Sequence, residues 1–384
     1  MTDRKELVRR AQDLVPALVE RAFQTEQSRQ IPDETIRDLK AGDLVRAAQP
    51  ERFGGLGLDF DVTFDVASEL GRGCGSTAWC YSIWASHNWI VGMFSERAQK
   101  EYWGGSLDAL ACTSLNPFRG TAAATAGGYT VAGQWDFASG CDAAGWILIV
   151  TTSPDGPLML MVPKTDYTII DTWFTSGLRG SGSKDVFIDN VFVPEHRALS
   201  MQDMREAQTP GRKLYDTPNY RIPMRNILSF ALSSPIIGMA KGAIEAFESV
   251  IMEGRSSRTG ARLVEAPGLQ MRLAEAAALV RTAESMMWRD CAEMYERARL
   301  SGMPTLEERA RYRRDQAFTS KLCVQAVNLL FEASGGRAIV ESSPLQRFHR
   351  DIHTASHHVS LSWDTTAAQY GAVRLGVATE NLDL

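Results

Sequence analysis

The chain has 384 residues, 44% of them hydrophobic and 23% charged, with a formal net charge of -5. These values are ordinary for a soluble globular protein of two or three domains, and the acidic balance excludes a general attraction to nucleic acid or anionic membranes. The charged N-terminus lacks the apolar run of a signal peptide, and we expect no stretch of about 18 apolar residues. A cytoplasmic protein without membrane spans is therefore expected.

Helices are predicted for residues 1–108. Apolar residues recur at helical spacing from Leu7 to Ala22, a second helix starts after Pro32, and residues 61–104 are typical of two helices. The second of these two is rich in aromatic residues and carries one histidine: Trp79, Trp84, His87, Trp89 and Phe94. A histidine among tryptophans is more often structural than functional, so the residues alone leave the role of His87 open.

Residues 109–215 predict a compact antiparallel β domain, because short apolar runs alternate there with Gly, Pro, Asn and Asp. The runs are 110–114, 129–131, 146–151, 158–162, 168–170 and 186–188. Residues 198–226 contain several prolines and predict a long irregular connection, a feature that is more often functional than idle.

The C-terminal part of the chain predicts an antiparallel bundle of four helices. Apolar faces mark the first three helices around residues 236–251, 273–294 and 318–331, and residues 353–376 form the fourth. Nearly continuous apolarity over residues 324–331 indicates a second buried face, so we expect the protein to form an oligomer through this bundle.

Two segments of the β region stand out as a candidate ligand site. Residues 130–150 are typical of a strand, a turn of small residues and a buried strand, and residues 177–186 form a loop rich in Gly and Ser. Such a turn leaves backbone N–H groups and the Ser139 hydroxyl available to a flat ligand with polar edges. An ordinary hairpin corner explains the same pattern equally well.

Together these segments resemble the β domain of the acyl-CoA dehydrogenase fold. Within that fold the chain looks most like the oxygenase components of two-component flavin-dependent aromatic monooxygenases. The resemblance runs from Phe53-Gly54-Gly55 to Arg350-Asp351. It implies a mainly α fold with a central β domain, divided into an N-terminal helical domain (1–108), a flavin-contacting β domain (109–215) and a C-terminal four-helix bundle (216–384).

The resemblance also implies a flavin site drawn from several segments. Ser139 follows the strand that lies along the isoalloxazine, Arg255 approaches the flavin phosphates, and a Gly-Gly turn after the third bundle helix allows close backbone approach. Purely structural explanations stay open for each residue. Ser139 could be a turn serine, the glycines could form a helix C-cap, and Arg255 could be a solvated residue at a helix end, which is more typical of Arg258. The predicted flavin contacts are Ser114, Trp135, Ser139, Gly140, Arg255, Gly335 and Gly336.

Residues 348–358 separate two branches of the family. Many acyl-CoA dehydrogenases place a catalytic Glu just after the Arg-Asp pair, whereas here no carboxylate follows Asp351 until Asp364. The resemblance to the hydroxylases favours His358 at this point, with His357 as the next candidate. His353 and His357 are four residues apart and share a helix face, but no third ligand is apparent, so no metal site is predicted.

The resemblance implies an oxygenase component that receives FADH2 or FMNH2 from a separate NAD(P)H:flavin reductase and forms a C4a-hydroperoxide with O2. The substrate would be a phenol or indole, held or deprotonated by His87 and His358. Trp84, Asn116 and Arg225 are predicted to contact this substrate, and a homotetramer or homodimer is expected. The alternatives are an acyl-CoA dehydrogenase-type FAD enzyme with its base on Glu245, Glu248 or Asp364, and a degenerate binding partner without activity.

Overall fold

The computed structural model describes residues 2–257 and 259–377. The helices are α1 (Arg4–Ser28), α2 (Asp33–Ala41), α3 (Val62–Gly73), α4 (Gly75–Val91), α5 (Glu96–Gly104), α6 (Met201–Arg205), α7 (Pro210–Leu214), α8 (Met224–Ile227), α9 (Phe230–Glu253), α10 (Pro267–Arg299), α11 (Leu306–Ala333), α12 (Pro344–Ser356) and α13 (Trp363–Arg374). The strands are β1 (Ala111–Ser114), β2 (Gly120–Thr125), β3 (Gly128–Ala138), β4 (Trp146–Thr151), β5 (Leu158–Pro163), β6 (Thr168–Ile170), β7 (Lys184–Pro194) and β8 (Ala198–Ser200). This order confirms the predicted fold class, and we propose domain boundaries at residues 108 and 215.

The β domain consists of two four-stranded sheets with the orders β1-β4-β5-β8 and β2-β3-β7-β6. All neighbours are antiparallel except β1 and β4, which pair in parallel. The purely antiparallel expectation is therefore wrong at one edge. Strands β2 and β8 were not predicted, because β2 is a run of Ala and Thr that lies mostly exposed and β8 has only three residues.

The N-terminal domain centres on α4, in which every residue is buried. Residues 61–104 form three helices rather than two, because Cys74 adopts an extended conformation between α3 and α4. The Ser95 side chain then accepts a hydrogen bond from the Ala98 N–H at 3.3 Å and begins α5. Helix α4 contacts both the β domain and α9, so it is placed to carry residues of a site between domains.

The bundle contains α9, α10 and α11 as predicted, but the expected fourth helix is broken. Helix α12 ends at Ser356, a short 3-10 turn covers residues 359–361, and α13 starts at Trp363. The His358 side chain caps that turn, since its Nδ1 accepts the Ser360 N–H at 3.1 Å. His358 therefore lies at a corner of the chain and not on a continuous helix face.

The segment Met224–Glu253 is long and apolar enough to cross a membrane, judged by length and composition over a window of 18 residues. The expectation that no stretch of this kind exists is therefore wrong. Within the fold 83% of that window is buried, because α9 packs against α3, α11 and α12, which identifies it as a core helix of the bundle. The predicted irregular connection 198–226 contains the short helices α6, α7 and α8.

Candidate active site

One face of α4 keeps slight solvent access in an otherwise covered helix. Trp79 and Ile83 retain 5% and 8% of their exposure in a helix whose neighbouring residues are almost completely covered, and His87 follows Ile83 by one turn. Residues 79, 83 and 87 share a face because they are spaced by four. Because the slight remaining access of α4 is concentrated on this face, we take it as one wall of the candidate site.

His87 is held as a neutral acceptor at one end of that wall. Its Nδ1 bonds the Ile83 carbonyl, which can only accept, so Nδ1 carries the ring proton. Its Nε2 is therefore a bare acceptor, and among the described residues this buried atom has no hydrogen-bond partner. Burial lowers the pKa of His87 to about 4, against the backbone hydrogen bond that raises it.

His358 presents the opposite polarity. Because its Nδ1 accepts the Ser360 N–H, the neutral ring carries its proton on Nε2 and is a donor there. The ring lies 5.9 Å from that of Trp79, so the corner before α13 does meet α4. Burial, together with the smaller effect of the Arg313 charge, lowers the pKa of His358 to about 4.

The low pKa values correct one expectation. We expected neutral histidines near their ordinary pKa of about 6.5, suitable as general bases at neutral pH. Both rings are neutral at pH 7, but as bases they are weaker than expected because a cation would lose its hydration in this environment. Their geometry suits hydrogen bonding to a substrate better than complete removal of its proton.

The β-domain side of the site is a cluster of hydroxyl groups. The Trp79 indole N–H donates to Ser139 Oγ at 3.1 Å, Ser139 bonds Ser183 at 2.7 Å, and Ser183 bonds Ser181 at 2.7 Å. Gly140 follows in the left-handed region at a φ of +69°, where a Cβ would lie 2.7 Å from the Trp84 ring. The two segments singled out in the sequence are thus joined to α4.

The loop of residues 178–183 is fastened to the bundle by Asp351. One carboxylate oxygen of Asp351 accepts the Leu178 N–H at 2.6 Å, and Arg350 donates to the Ser176 carbonyl at 2.6 Å. Burial raises the pKa of Asp351 to about 6. The Arg-Asp pair therefore positions the loop, and it does not supply the base that the alternative dehydrogenase needs.

Two predicted contacts of tryptophan side chains are corrected. Trp84 is fully buried on another face of α4 from Trp79 and His87, and its indole N–H donates to the Gly140 carbonyl at 3.3 Å, which supports the loop. Trp135 is fully buried in the β-domain core and donates to the Val150 carbonyl at 2.9 Å, which keeps its side chain from a flavin.

Phe137 is a residue that we missed. It is 65% exposed, adopts a left-handed φ of +63° and lies edge-on to Trp173 at 6.1 Å. A bulky residue in that region is strained, and such strain is concentrated at ligand sites. The only sequence signal was its place two residues before Ser139; the bulge that turns it outward depends on the pairing of β3 with β7.

Four further predicted residues lie on other elements or are exposed. Asn116 is exposed and its side-chain oxygen accepts the Phe118 N–H at 3.1 Å, which makes it a local cap. His357 is exposed and its Nδ1 bonds the His353 carbonyl at 2.6 Å. Ser114 is buried at the end of β1, and Arg225 is half-buried on α8.

The bundle-end residues predicted for the flavin are open to solvent in the single chain. Arg255 is exposed and donates to the Gly260 carbonyl at 3.0 Å. Gly335 and Gly336 are exposed, and within residues 2–257 and 259–377 no atom lies within 4 Å of a Cβ built on either. Arg258 lies outside the described residues.

The described residues fit a flavin on the loop side. The hydroxyls of Ser139, Ser181 and Ser183 form a bonded row, Ser139 keeps 7% exposure beside Trp79, and Phe137 offers an exposed ring. These are the aromatic faces and hydrogen-bonding edges that an isoalloxazine needs. Among the described residues, no group of three His, Cys, Asp or Glu side chains is arranged for a metal.

Comparisons with known proteins agree with this geometry. Residues 2–107 match the N-terminal domain and residues 230–363 the C-terminal domain of acyl-CoA dehydrogenases. The flavin-dependent monooxygenase oxygenase subunit HsaA of Rhodococcus jostii (strain RHA1) is 34% identical over 376 residues, covering 96% of this chain and 98% of HsaA. The oxygenase component of the FADH(2)-dependent resorcinol hydroxylase of Rhizobium sp. (strain MTP-10005) is 35% identical over 372 residues, covering 93% of this chain and 90% of that protein. The crystal structure of 3-HSA hydroxylase from Rhodococcus sp. RHA1 superimposes with a TM-score of 0.93 at 33% identity, covering 99% of both chains.

Proposed function

This chain belongs to the acyl-CoA dehydrogenase family, in the branch of oxygenase components of flavin-dependent monooxygenases, and we propose that its active site is the cavity between α4 and His358. The protein hydroxylates an aromatic substrate with reduced flavin and O2. Reduced flavin, when bound, supplies the chemistry that activates O2. The substrate is a phenol or an indole, and FADH2 or FMNH2 comes from a separate NAD(P)H:flavin reductase.

The observation that carries the proposed site is the pair of neutral histidines with opposite polarity. Among the described residues His87 offers an unpartnered acceptor, and His358 offers an N–H donor beside Trp79 of the same helix as His87. A phenol or indole donates its own proton to His87 Nε2, which fixes the ring and increases electron density on it. His87 is buried and His358 is half-buried, which limits the access of water to the reacting atoms.

The loop-side residues would hold the flavin ring. Ser139 lies beside Trp79 and shares its hydroxyl network with Ser183, so it is placed to bond a flavin edge. We add Phe137 to the flavin-contacting residues in place of the Trp135 side chain. Gly140 lets the backbone turn here because glycine readily adopts the left-handed conformation. A side chain at this position would also collide with the Trp84 ring.

The dehydrogenase alternative lacks a base in the cavity. Glu245 is exposed and its carboxylate lies 2.7 Å from Arg72, and Asp364 is exposed on the first turn of α13. Glu248 is half-buried on α9 one helical turn from Ile251. None of them replaces a carboxylate at the position of His358, so proton abstraction next to a thioester is not favoured.

We also propose a homotetramer or homodimer in the cytoplasm. The bundle carries exposed apolar residues: Ile339 is 69% and Val340 53% exposed just after the open Gly335 turn, and Leu375 after α13 is 81% exposed. A second copy that covers these residues would bring the flavin phosphates to Arg255 and to the Gly-Gly turn. The buried character of α9 is consistent with a protein that does not span a membrane.

The test is single-turnover mixing of the purified protein and FADH2 or FMNH2 with O2 and a phenol or indole. We expect a colourless protein as purified and a hydroxylated product that requires reduced flavin. Product is measured by mass spectrometry with 18O2, which labels the new hydroxyl. A tightly bound FAD that an acyl-CoA reduces would instead support the dehydrogenase.

A further inference from the structure

A row of three hydroxyl groups lies behind the proposed flavin edge. Ser139 follows β3, and Ser181 and Ser183 belong to the loop before β7. The Oγ atoms of Ser139 and Ser183 are 2.7 Å apart, and those of Ser183 and Ser181 are also 2.7 Å apart. At the Ser139 end the row accepts the indole N–H of Trp79 at 3.1 Å. All four side chains are buried, so each of their polar hydrogens is expected to have an acceptor.

Backbone contacts fix the oxygen atoms of the row. The Gly140 N–H donates to the Ser181 carbonyl at 2.8 Å, which joins the turn after β3 to the loop before β7. The Cys80 thiol of α4 donates to the same carbonyl at 3.4 Å. The hydroxyl hydrogens, by contrast, rotate to suit their partners. The row can therefore reverse the direction of its hydrogen bonds without a movement of its heavy atoms.

Trp79 limits Ser139 to two bonding states. A hydroxyl group has one hydrogen to donate and two lone pairs that accept. The Trp79 N–H can only donate, so it always occupies one lone pair of Ser139. One lone pair and one hydrogen are left for Ser183 and for a ligand. If the ligand presents an N–H, Ser139 accepts from it and donates to Ser183. If the ligand presents a bare acceptor, both bonds reverse.

The far end of the row can adjust to either state. Within the part of the chain that the structure describes, Ser183 Oγ bonds only Ser139 and Ser181, so it donates to one and accepts from the other. Ser181 also lines a cleft of about 110 Å³, whose other lining residues include the exposed Asp33 and Asp142. A polar cleft of this size holds several water molecules, which can accept the Ser181 hydrogen or donate to its oxygen.

Reduction of a flavin reverses the polarity of its ring edge, because a ring nitrogen that is a bare acceptor in the oxidised form carries a hydrogen in the reduced form. We propose that Ser183 is a positioning residue that lets Ser139 bond both forms. With reduced flavin Ser139 donates to Ser183 and Ser183 to Ser181, and with oxidised flavin the row runs the opposite way. No hydrogen leaves its oxygen, since each hydroxyl only rotates. The inference rests on the proposed function, because it concerns the residues behind the same flavin edge.

The experiment measures flavin binding without turnover. FAD, FADH2, FMN and FMNH2 are each titrated under nitrogen into the full chain and into Ser183→Ala. In the variant the Ser139 hydrogen has no acceptor when a reduced flavin donates to Ser139. We therefore expect Ser183→Ala to bind reduced flavin about three-fold to ten-fold more weakly and oxidised flavin within about two-fold of the wild type. The two-electron midpoint potential of the bound flavin should fall by about 15–30 mV, since a ten-fold change corresponds to about 30 mV.

Three further variants separate this role from a general loss of packing. Ser183→Thr keeps a hydroxyl and should retain the affinity for reduced flavin. Ser181→Ala should weaken reduced flavin selectively, as Ser183→Ala does, and it replaces that variant if the melting temperature shows that Ser183→Ala does not fold. Ser68→Ala is the matched control, because Ser68 is a buried serine of α3 whose hydroxyl has no partner among the described residues. It should change neither affinity.

Two results would contradict the role of Ser183. Equal weakening of both flavin forms in the folded variant, or no change in either form, overturns this role and leaves the proposed function in place. A wild-type protein that binds neither form overturns the proposed function, and the role of Ser183 with it.

Discussion

The two halves of the predicted flavin site differ in how complete they are within one chain. On the loop side, Ser139 is buried and bonded to Trp79 and Ser183, so tertiary structure alone positions it. At the bundle end, Arg255 and Gly335 are exposed and face open space. We therefore propose that packing within the chain builds the reactive end of the site, while a second copy completes the phosphate end.

The largest effect on hydroxylation should come from a substitution of His87, at the reactive end of the site. His87→Ala removes the buried acceptor and should lower the hydroxylation rate about 10²–10⁴-fold, the usual contribution of acid–base and hydrogen-bonding help from a histidine. O2 consumption should continue, with hydrogen peroxide released in place of product. His358→Ala should behave alike, whereas His353→Ala should have little effect because His353 bonds Asn328 at 2.8 Å, away from the cavity. Full product yield from His87→Ala would show that His87 is a structural core residue and has no role in hydroxylation.

The same histidine should also make stability depend on pH. Burial lowers the pKa of His87 to about 4, so the unfolded chain binds the proton more readily than the folded chain. Stability is fully present above the unfolded pKa of about 6.5 and is lost as the pH falls towards 4, by about 3 kcal/mol for this group. Urea unfolding of wild type and His87→Gln at pH 7 and pH 4.5 measures the difference. Equal losses in both proteins would mean that His87 is hydrated in the folded state.

The sequence predicted the elements that have a local pattern, and it did not predict the features that depend on tertiary packing. Helices α1, α9, α10 and α11 were predicted because their apolar residues recur at helical spacing, and the two loop segments were recognised from their motifs. The break at His358 was missed because a histidine that caps its own turn has no distinctive pattern in the sequence. The roles of Trp84 and Phe137 depend on which face α4 turns to the β domain and on a bulge in β3, and both are tertiary features.

A smaller effect is expected at the bundle end. Arg255→Gln removes a cation that would bond the flavin phosphates and should weaken flavin binding by about 1.5–3 kcal/mol, the range for hydrogen bonds to charged groups. The melting temperature should not change, since Arg255 is exposed and bonds only the nearby Gly260 carbonyl among described residues. The binding of FADH2 is measured anaerobically at protein concentrations above and below that at which oligomers dissociate.

If a second copy completes this half, the wild type should lose flavin affinity on dilution and Arg255→Gln should not lose a further increment. Arg272→Gln is a suitable control because Arg272 is also exposed and only 3.5 Å from Glu275 on its own helix. Affinity that is independent of protein concentration in both proteins would show that the bundle end of the same chain reaches the flavin.

The smallest effect on stability is expected from a substitution of Gly335. This substitution distinguishes backbone strain from a contact with a second copy. This residue has a φ of +62°, and no atom of the residues that the structure describes lies within 4 Å of an added Cβ. Gly335→Ala should therefore destabilise the monomer only through left-handed strain, by about 1 kcal/mol. Gly104→Ala is the matched control, since its Cβ also meets nothing but its backbone is helical, and it should be neutral or slightly stabilising. If flavin binding falls by more than this strain explains, we would infer that another surface approaches Gly335 closely. That result is expected if a second copy covers the open bundle end. Equal stability and flavin affinity in both variants would remove the Gly-Gly turn from the site.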